Sequence, residues 1–497
     1  MNIIDNDLLS IQESRVLAEN AKEAQRKLAT FPQEKLDEIV ERMAEEIEKY
    51  ICELAQMSVD ETDYGNWQDK CIKNKFVCEI LRKKLRGMKC VGIIDENEDA
   101  KTMNVGVPLG VIAAICPATS PVSTTIYKAL IAIKSGNAII FSPHPRAKET
   151  TSRTLDILIR AAEGYGLPEG ALSYLNTVTT AGTVELMKHK NIALVLNTGV
   201  PNLLQEAFNS GKPVIYGGNG NGPAFIERTA DIKQAVKDII ASKTFDYGVA
   251  SAAEQSIVVD SCISSEVKRE LLENGAYFMT EEESERLGKL FYRFDGSADP
   301  EVFGKKATYL AKKADISVPE DVQVLISEQK YVSDVNPYAK EKLCPVLAYY
   351  IEDDWMHACE KCIELLLNER NGHTLVIHSN DEEVIKQFAL KKPVARVLVN
   401  TPAVFGSMGA TTNLFPAMTL GSGSAGRGMT SDNVSPMNLI YVRKVGYGVK
   451  SKESFLEELS QVDTYVGKEQ CKEKMMKENE ELLKIVLTKA YEIINSK

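Results

Sequence analysis

Short apolar runs alternate with helical segments through the middle of the chain, and this rhythm constrains the fold more than any other feature. GVIAAIC (110–116), GNAIIFSP (136–143) and IALVLNTG (192–199) are each followed by a segment with a helical pattern. Strands separated by helices of about 10–15 residues indicate βαβ units, whose parallel strands are buried on both faces. The sequence therefore predicts an α/β fold built on an open parallel sheet.

The same rhythm returns after a helical segment at 231–243. Four further apolar runs follow, namely VQVLI (322–326), PVLAYY (345–350), HTLVIHS (373–379) and ARVLVN (395–400). They predict a second α/β domain, with the change-over near residue 228. Before the first domain, apolar residues at steps of three or four predict amphipathic helices up to about residue 90: Leu36, Ile39, Met43, Ile47 and Ile51.

The segment from 401 to 436 is rich in Gly, Ser, Thr, Asn and Pro, and such a long loop is usually functional. Within it, GSGSAG (421–426) matches G-x-G-x-x-G. That fingerprint needs a strand before it and a helix after it, whereas the residues that follow are typical of a loop. We interpret the segment as a loop that closes on a ligand.

Charge and composition exclude several classes of protein. The 497 residues carry a formal net charge of −11, which argues against a nucleic-acid partner. Without an uninterrupted apolar stretch of about 18 residues, we expect no membrane span, and the N-terminus does not resemble a secretory signal. The ten cysteines have no framework spacing, so we expect reduced thiols in a cytoplasmic protein.

A metal site is not predicted. Cys359 and Cys362 form a C-x-x-C near His357, all within a helical pattern. At about 100° per residue, His357 and Cys359 point to nearly opposite sides of a helix, and the chain offers no second pair of ligands.

Two glycine-containing segments could approach a ligand. GGNGNGP (217–223) allows either a tight turn between strands or a close approach of the backbone to a bound molecule. NTGVPN (197–202) lies where a strand gives way to a helix, and free N–H groups at such a junction favour a phosphate.

Several short motifs occur in one order along the chain: PATSP (117–121), IIFSPHPRAK (139–148), NTG (197–199), FDYGVASAAEQ (245–255), EKLCPV (341–346), GHT (372–374), NTP (400–402) and TLGSG (419–423). Together they resemble the aldehyde dehydrogenase superfamily in its CoA-acylating branch, over about residues 10–450. The chain is similar to acetaldehyde and propionaldehyde dehydrogenases and to the aldehyde half of bifunctional aldehyde–alcohol dehydrogenases.

The resemblance implies an aldehyde dehydrogenase-like α/β fold with three parts. Residues 1–228 would form N-terminal helices and a Rossmann-like cofactor domain, with an arm at about 94–107. Residues 229–436 would form the catalytic α/β domain, and 437–450 an oligomerisation strand. A homodimer or homotetramer is implied.

The implied activity is the oxidation of a small aldehyde to an acyl-CoA with NAD or NADP, through a thioester on a catalytic cysteine. The position of that cysteine is Ser251 in this chain. A serine hydroxyl has a far higher pKa than a thiol's ~8.5, so little nucleophile exists at neutral pH. We interpret the chain as an inactivated variant, natural or engineered, or as a poor catalyst.

The resemblance also assigns residues around Ser251. Thr119 stands at the family's oxyanion asparagine, next to Ser120, where acylating relatives usually have Asn; both are candidates to assist the main-chain N–H of residue 251. Gly217 stands where hydrolysing members carry a glutamate base, which favours transfer to a thiol over hydrolysis. His373 matches a histidine near the nucleophile, although a structural role at the strand edge is equally open.

The cofactor-binding residues implied by the resemblance are Ser142, Pro143, Arg146, Thr198, Gly199, Gly217 and Glu341. Glu341 matches a glutamate that hydrogen-bonds the nicotinamide ribose. Ser142 replaces a lysine near the adenosine ribose. Arg146 and Lys148 are either contacts for a phosphate of NAD(P) or CoA, or solvated charges at a helix start.

Two features lie outside the motifs. Arg427 in the glycine-rich loop is either solvent-facing or favours an aldehyde with a negative group. Residues 467–497 predict an amphipathic helix whose apolar face carries Leu482, Leu483, Val486, Ala490, Ile493 and Ile494. This helix either packs on its own body or a sister subunit, or docks on a partner enzyme or shell of a bacterial microcompartment, as the tails of some relatives do.

Two alternative functions stay open at this point. One is a non-acylating aldehyde dehydrogenase, and the other is a cofactor-binding or scaffold protein without catalysis, which Ser251 suggests. The aldehyde is not identified: acetaldehyde, propionaldehyde and sulfoacetaldehyde all fit the sequence. The expected location is the cytoplasm, with the interior of a microcompartment as an alternative.

Overall fold

The computed structural model describes residues 5–294, 296–369, 372–463 and 468–495. The α-helices of this part of the chain are α1 (Asn6–Leu28), α2 (Gln33–Glu48), α3 (Ile51–Thr62), α4 (Trp67–Phe76), α5 (Arg82–Leu85), α6 (Pro121–Lys134), α7 (Lys148–Gly164), α8 (Thr180–Lys188), α9 (Leu204–Asn209), α10 (Ile232–Thr244), α11 (Ser264–Glu273), α12 (Glu281–Gly288), α13 (Ala307–Lys313), α14 (Trp355–Asn368), α15 (Glu382–Lys391), α16 (Ala403–Met408), α17 (Lys452–Asp463) and α18 (Lys468–Asn495). A π-helical turn (Val77–Leu81) lies between α4 and α5.

The strands are β1 (Gly92–Asn97), β2 (Thr102–Pro108), β3 (Val111–Ile115), β4 (Ala138–Ser142), β5 (Leu172–Tyr174), β6 (Ile192–Thr198), β7 (Val214–Gly217), β8 (Pro223–Ile226), β9 (Ser256–Asp260), β10 (Ala276–Phe278), β11 (Val324–Glu328), β12 (Val346–Glu352), β13 (Thr374–His378), β14 (Arg396–Val399) and β15 (Ile440–Gly446). They form sheets of five, seven and three strands. The mixed α/β architecture predicted from the sequence is confirmed.

The first sheet has the order β5-β4-β3-β6-β7, and its pairs are parallel. Every residue of β3 and β4 is buried, as expected for strands covered on both faces. The chain runs from β3 outward to β5 and then returns to β6 on the other side of β3. The strand order therefore reverses between β3 and β6, where ligands of open α/β sheets usually bind.

The second sheet has the order β10-β11-β12-β9-β8-β13-β14 and is also parallel. Its strand β8 pairs with β9 and β13. The change of sheet thus falls between Gly217 and Pro223, a few residues before the expected boundary at 228. The glycine-rich segment 217–223 connects two sheets and is not a tight turn between paired strands.

The N-terminal helices carry the apolar stripe that the sequence predicted. In α2, the buried side chains include Leu36, Ile39, Met43 and Ile47, which lie on one face. Ile51 begins the next helix, α3, because the chain leaves α2 at Lys49. These helices belong to the same hydrophobic core as the first sheet.

The chain divides into two compact units. One comprises residues up to 94 and 106–443, and the other 95–105 and the residues from 444 onward. The segments expected to form an oligomerisation arm supply the three-stranded sheet, of order β1-β2-β15. Their role in oligomerisation stays a prediction. No helix of the described residues combines the length and apolarity needed to cross a membrane.

The expectation that all cysteines are reduced is wrong for one pair. Cys52 in α3 and Cys71 in α4 form a disulfide, with a Cα–Cα distance of 5.0 Å. The two residues are 19 apart in sequence, and only the packing of α3 against α4 brings them together. The other cysteines with described side chains are free thiols.

Replacing both bridged cysteines by serine should destabilise the protein only under oxidising conditions. A disulfide closing a loop of this size stabilises the fold by about 3 kcal/mol. We expect C52S/C71S to lower the free energy of unfolding by about that amount in non-reducing buffer and to match the unmodified chain in dithiothreitol, as measured by urea denaturation. C262S, which changes an exposed thiol, is the control. If C52S/C71S and the unmodified chain were equally stable in both buffers, that result would show that the disulfide does not form.

Candidate active site

A cavity of about 100 Å³ lies at the carboxyl ends of the first sheet. The residues after β3 supply Pro117, Thr119 and Ser120, and the ends of β6 and β7 supply Thr198, Gly199 and Gly217. Because the carboxyl ends of parallel strands meet at one edge of a sheet, segments distant in sequence share this wall. We call this space the strand-end cavity.

Ser251 faces the strand-end cavity from the opposite segment, 249–252. Glu341 and Leu343 line it as well. An apolar part of the wall consists of Val404, Met408, Ala417, Met418 and Leu420. Of the residues predicted from the sequence, seven therefore meet at one cavity: Thr119, Ser120, Thr198, Gly199, Gly217, Ser251 and Glu341.

A tight turn places Ser251. Asp246 and Tyr247 both adopt left-handed backbone conformations, with φ of 51° and 52°, within the turn Phe245–Gly248. Gly220 passes close behind Ser251: a Cβ added there would lie 1.7 Å from the Ser251 carbonyl oxygen and 2.7 Å from His373 Nε2. Residue 220 must therefore be glycine for these three segments to pack.

His373 lies behind the cavity wall. Its Nδ1 is 2.8 Å from the Thr374 hydroxyl, and its Nε2 lies near the Ser251 main chain. Burial, reinforced by the Arg396 guanidinium, lowers the pKa of His373 to about 3. The imidazole is thus neutral at physiological pH and is a poor base. Its predicted role near the nucleophile stays a prediction.

Glu341 is a half-buried residue of the cavity wall. Its Oε1 accepts a hydrogen bond of 2.9 Å from the Gly220 main chain. Burial raises the pKa of Glu341 to about 8. The group can therefore exchange hydrogen bonds with a hydroxyl without carrying a full charge.

Gly217 has no space for a side chain. A Cβ there would lie 2.8 Å from Thr419 Cγ2 and 3.2 Å from the Leu420 main chain. Gly199 adopts φ +64°, a conformation that favours glycine. Thr198 is held by a 2.8 Å hydrogen bond between its hydroxyl and that of Thr419. These contacts bring main chain, not side chains, to this part of the cavity surface.

Other predicted residues lie away from the cavity wall. Ser142 and Pro143 are buried at the end of β4, and the Ser142 hydroxyl is 2.8 Å from that of Thr183. Arg146 is exposed, with its guanidinium 5.8 Å from the centre of the Tyr64 ring. Lys148 pairs with Glu149 at 3.3 Å. Their proposed contacts to cofactor or CoA stay predictions.

The glycine-rich loop does not continue into a helix. Residues Ser424–Gly426 form one 3₁₀ turn, after which Arg427 adopts φ +63° and is exposed. This agrees with the interpretation of GSGSAG as part of a loop. The preference of Arg427 for a charged aldehyde stays a prediction.

The C-x-x-C segment lies in α14, where Cys359 and Cys362 are buried. His357 is exposed and lies 3.0 Å from the Asp354 carboxylate. Among the residues that the structure describes, no three potential His, Cys, Asp or Glu ligands converge as a metal site would require.

Sequence reasoning missed a charged cluster beside the cavity, formed by Lys70, Lys73 and Asp246. Both ammonium groups reach one oxygen of the buried Asp246 carboxylate, at 2.9 Å from Lys70 and 2.5 Å from Lys73. Lys73 also lines the cavity. The available signals were an acid inside the FDYG motif and two lysines three residues apart on one helix face.

Known proteins similar to this chain agree with the predicted family and fold. The family model "Aldehyde dehydrogenase family" matches residues 10–285. The bifunctional aldehyde-alcohol dehydrogenase AdhE of Escherichia coli K12 is 37% identical over 88% of this chain and 49% of its own length. The chain thus spans about half the length of the curated relatives that it matches first.

Two solved structures are similar over nearly their whole length. An acetylating aldehyde dehydrogenase from Geobacillus thermoglucosidasius is 42% identical, with a TM-score of 0.87, over 90% of this chain and 99% of its own. A propionaldehyde dehydrogenase from the fucose utilisation microcompartment of Clostridium phytofermentans is 27% identical, with a TM-score of 0.79, over 88% of this chain and 97% of its own. The family predicted from the motifs is confirmed, and the chain belongs to the aldehyde dehydrogenase family.

Proposed function

We propose that this chain has the site of a CoA-acylating aldehyde dehydrogenase, which oxidises a small aldehyde to an acyl-CoA with NAD or NADP, and that Ser251 occupies the position of its nucleophile. The observation that carries the proposal is the strand-end cavity, which brings Ser251 together with Thr119, Ser120 and Glu341. The similarity to an acetylating and a propionaldehyde dehydrogenase supports it.

The cavity wall fits a nicotinamide cofactor. The Glu341 carboxyl on the cavity wall can accept a hydrogen bond from a ribose hydroxyl. Thr198 and Gly199 offer main chain at the end of a parallel strand for the pyrophosphate. When bound, the cofactor accepts the hydride of the aldehyde. Ser142, Pro143, Arg146 and Lys148 are proposed to lie toward its adenosine end or the phosphates of CoA.

The packing around Gly217 favours a thiol acceptor over water. A glutamate at this position would have to displace Thr419 or the Leu420 main chain. Glu341 is the acidic residue among the described residues of the cavity wall, and its Oε1 already accepts the Gly220 N–H. The thiol of CoA loses its proton far more easily than water does, so it needs less help from a base to become a nucleophile. Non-acylating activity is therefore the less favoured alternative.

Ser251 limits the chemistry of the site. Attack on the aldehyde carbon needs the deprotonated side chain of residue 251, and His373 is too weak a base to provide it. An oxygen ester on Ser251 would also exchange poorly with a thiol. This single residue keeps open a second candidate function, a protein that binds cofactor and CoA without turnover.

The apolar part of the cavity wall favours uncharged aldehydes. The cavity volume is about 100 Å³, and Val404, Met408 and Met418 supply apolar walls. Acetaldehyde and propionaldehyde suit such walls better than sulfoacetaldehyde. Arg427 remains a proposed contact at the entrance for an aldehyde with a negative group.

We further propose a cytoplasmic homodimer or homotetramer in which α18 docks on a microcompartment shell or partner enzyme. The side chains of Met475, Met476, Leu482, Leu483 and Val486 are all exposed on this helix. Ala490 is also exposed, whereas the side chains of Ile493 and Ile494, together with residues 467, 496 and 497, lie outside the described part. The microcompartment origin of the Clostridium phytofermentans enzyme supports this location.

Restoring the thiol should restore catalysis. We expect S251C to raise acyl-CoA formation from acetaldehyde or propionaldehyde by about 10³-fold or more, because the rest of the site is intact. The measurement is NADH production with and without CoA, and S251A is the control for removal of the hydroxyl. Ordinary turnover by the unmodified chain, or silence of S251C with all short aldehydes, would contradict the proposal.

Replacing Glu341 by glutamine should change the pH dependence of stability. The pKa of Glu341 is about 8 in the folded protein and near 4.3 in an unfolded chain. Between these values the folded state holds a proton that the unfolded state releases, so stability falls as pH rises through this window. E341Q keeps an oxygen for the Gly220 N–H but does not titrate.

We therefore expect the Tm of E341Q to exceed that of the unmodified chain by a margin that widens from about pH 5 to about pH 8 and is constant above. Thermal melts at four pH values test this, with E282Q, a change on the exposed face of α12, as the control. A margin that does not change with pH would show that Glu341 is ionised throughout.

Charging the apolar face of α18 should abolish docking and leave the enzyme intact. L482E/L483E is expected to keep the oligomer size and, in the S251C form, the activity, but to lose co-sedimentation with microcompartment shells. K477Q/K484Q, on the exposed lysines of the same helix, is the matched control. Dissociation of the oligomer would instead show that the helix packs on a sister subunit.

A further inference from the structure

Ser120 occupies the N-cap of α6 but does not cap the helix. N-cap serines usually accept a hydrogen bond from a main-chain N–H in the first turn, whereas the Ser120 side chain makes no such bond. Its hydroxyl lies instead 2.6 Å from the ammonium of Lys73. Ser120 and Lys73 both line the strand-end cavity, and Ser120 is half-buried.

Lys73 is held as a donor. Its Nζ is 2.5 Å from Asp246 Oδ2, and its side chain is 3% exposed. The same ammonium donates to Ser120 Oγ, which is the acceptor in this contact. With its oxygen accepting from Lys73, the Ser120 hydroxyl has its own proton to donate, and Ser120 lines the cavity.

The surrounding charges fix this arrangement. Lys70 bonds Asp246 Oδ2 at 2.9 Å and the Thr119 carbonyl oxygen at 2.7 Å. The other carboxylate oxygen of Asp246 accepts the Asn66 N–H at 2.8 Å, and the Asp246 N–H donates to Asp69 Oδ2 at 2.7 Å. Lys70 and Lys73 of α4 thus hold the 119–120 turn, Lys70 through the Thr119 main chain and Lys73 through the Ser120 side chain.

We propose that Lys73 is a positioning residue that polarises the Ser120 hydroxyl, and that this hydroxyl donates a hydrogen bond to the carbonyl oxygen of the substrate. A hydroxyl that accepts from an ammonium is a stronger donor on its other side, because hydrogen bonds in a chain polarise one another. Such a donor stabilises the negative charge that develops on a carbonyl oxygen during attack. The inference rests on the proposed function for the identity of the carbonyl compound.

An acyl transfer that needs neither NAD nor CoA isolates this step. In the S251C variant, the thiolate introduced at position 251 would attack the carbonyl carbon of p-nitrophenyl acetate, the ester C–O bond would break, and nitrophenolate would leave with the electron pair. The product is an acetyl thioester on residue 251, and the thiol proton goes to solvent. The burst of nitrophenolate reports the rate.

We expect S120A to slow this burst by about 10²-fold, the usual loss for one oxyanion donor, and K73M by about 10-fold. The K73M/S120A pair should be no slower than S120A alone, because Lys73 acts through Ser120. K73R should recover part of the rate. K75M, on an exposed lysine of α4 that pairs with Glu79, is the matched control.

The outcomes separate the two proposals. An unchanged burst in K73M, additive losses in the pair, or no burst in S251C would overturn the inference. If the S251C protein showed a Lys73-dependent burst and yet failed to reduce NAD with any of the short aldehydes tested, that result would uphold the inference and reject the proposed function. Thermal melts of each variant exclude a loss of folding, since Asp246 keeps Lys70 as a partner in K73M.

Discussion

The buried carboxylate of Asp246 joins the parts of the molecule on which the site depends. The carboxylate accepts hydrogen bonds from two lysines of α4 and from the Asn66 main chain. The main-chain N–H of Asp246 donates to the Asp69 carboxylate. Asp246 stands five residues before Ser251, so the ion pairs that anchor it also anchor the turn presenting residue 251. Removing one partner of such a buried pair usually costs about 3–5 kcal/mol, because a buried charge is left uncompensated. The structure around the turn is adapted to this group: a Cβ at Gly65 would lie 1.8 Å from Asp246 Oδ1.

Much of the fold could be predicted from the sequence because its strands are buried on both faces. β3, β4 and β6 consist almost wholly of buried residues, and such strands appear as continuous apolar runs bounded by glycine and proline. The same topology explains why Thr119, Thr198 and Gly217, which the family motifs assigned to the site, line one cavity. Each follows or ends a strand of one parallel sheet, and the carboxyl ends of those strands meet at one edge.

The rest depends on contacts between segments far apart in sequence. Lys70 and Asp246 are separated by 176 residues and Lys73 and Asp246 by 173, so no local pattern relates them. The disulfide between Cys52 and Cys71 likewise follows from helix packing rather than spacing. The position of His373 behind the wall depends on Gly220, whose missing side chain lets three segments approach. Such features require the three-dimensional arrangement of both sheets.

The hydrogen bonds that shape the strand-end cavity do not use the side-chain oxygen of Ser251. Glu341 is held by Gly220, Ser120 by Lys73, and Thr119 by Lys70. The frame of the site and the reactivity of residue 251 are therefore physically separate. A serine can occupy this position without disturbing the frame, since oxygen and sulfur differ little in size, while the acidity of the nucleophile changes greatly. The cavity therefore determines which molecules the site can bind. Formation of the covalent bond to the carbonyl carbon depends on the side-chain oxygen or sulfur of residue 251.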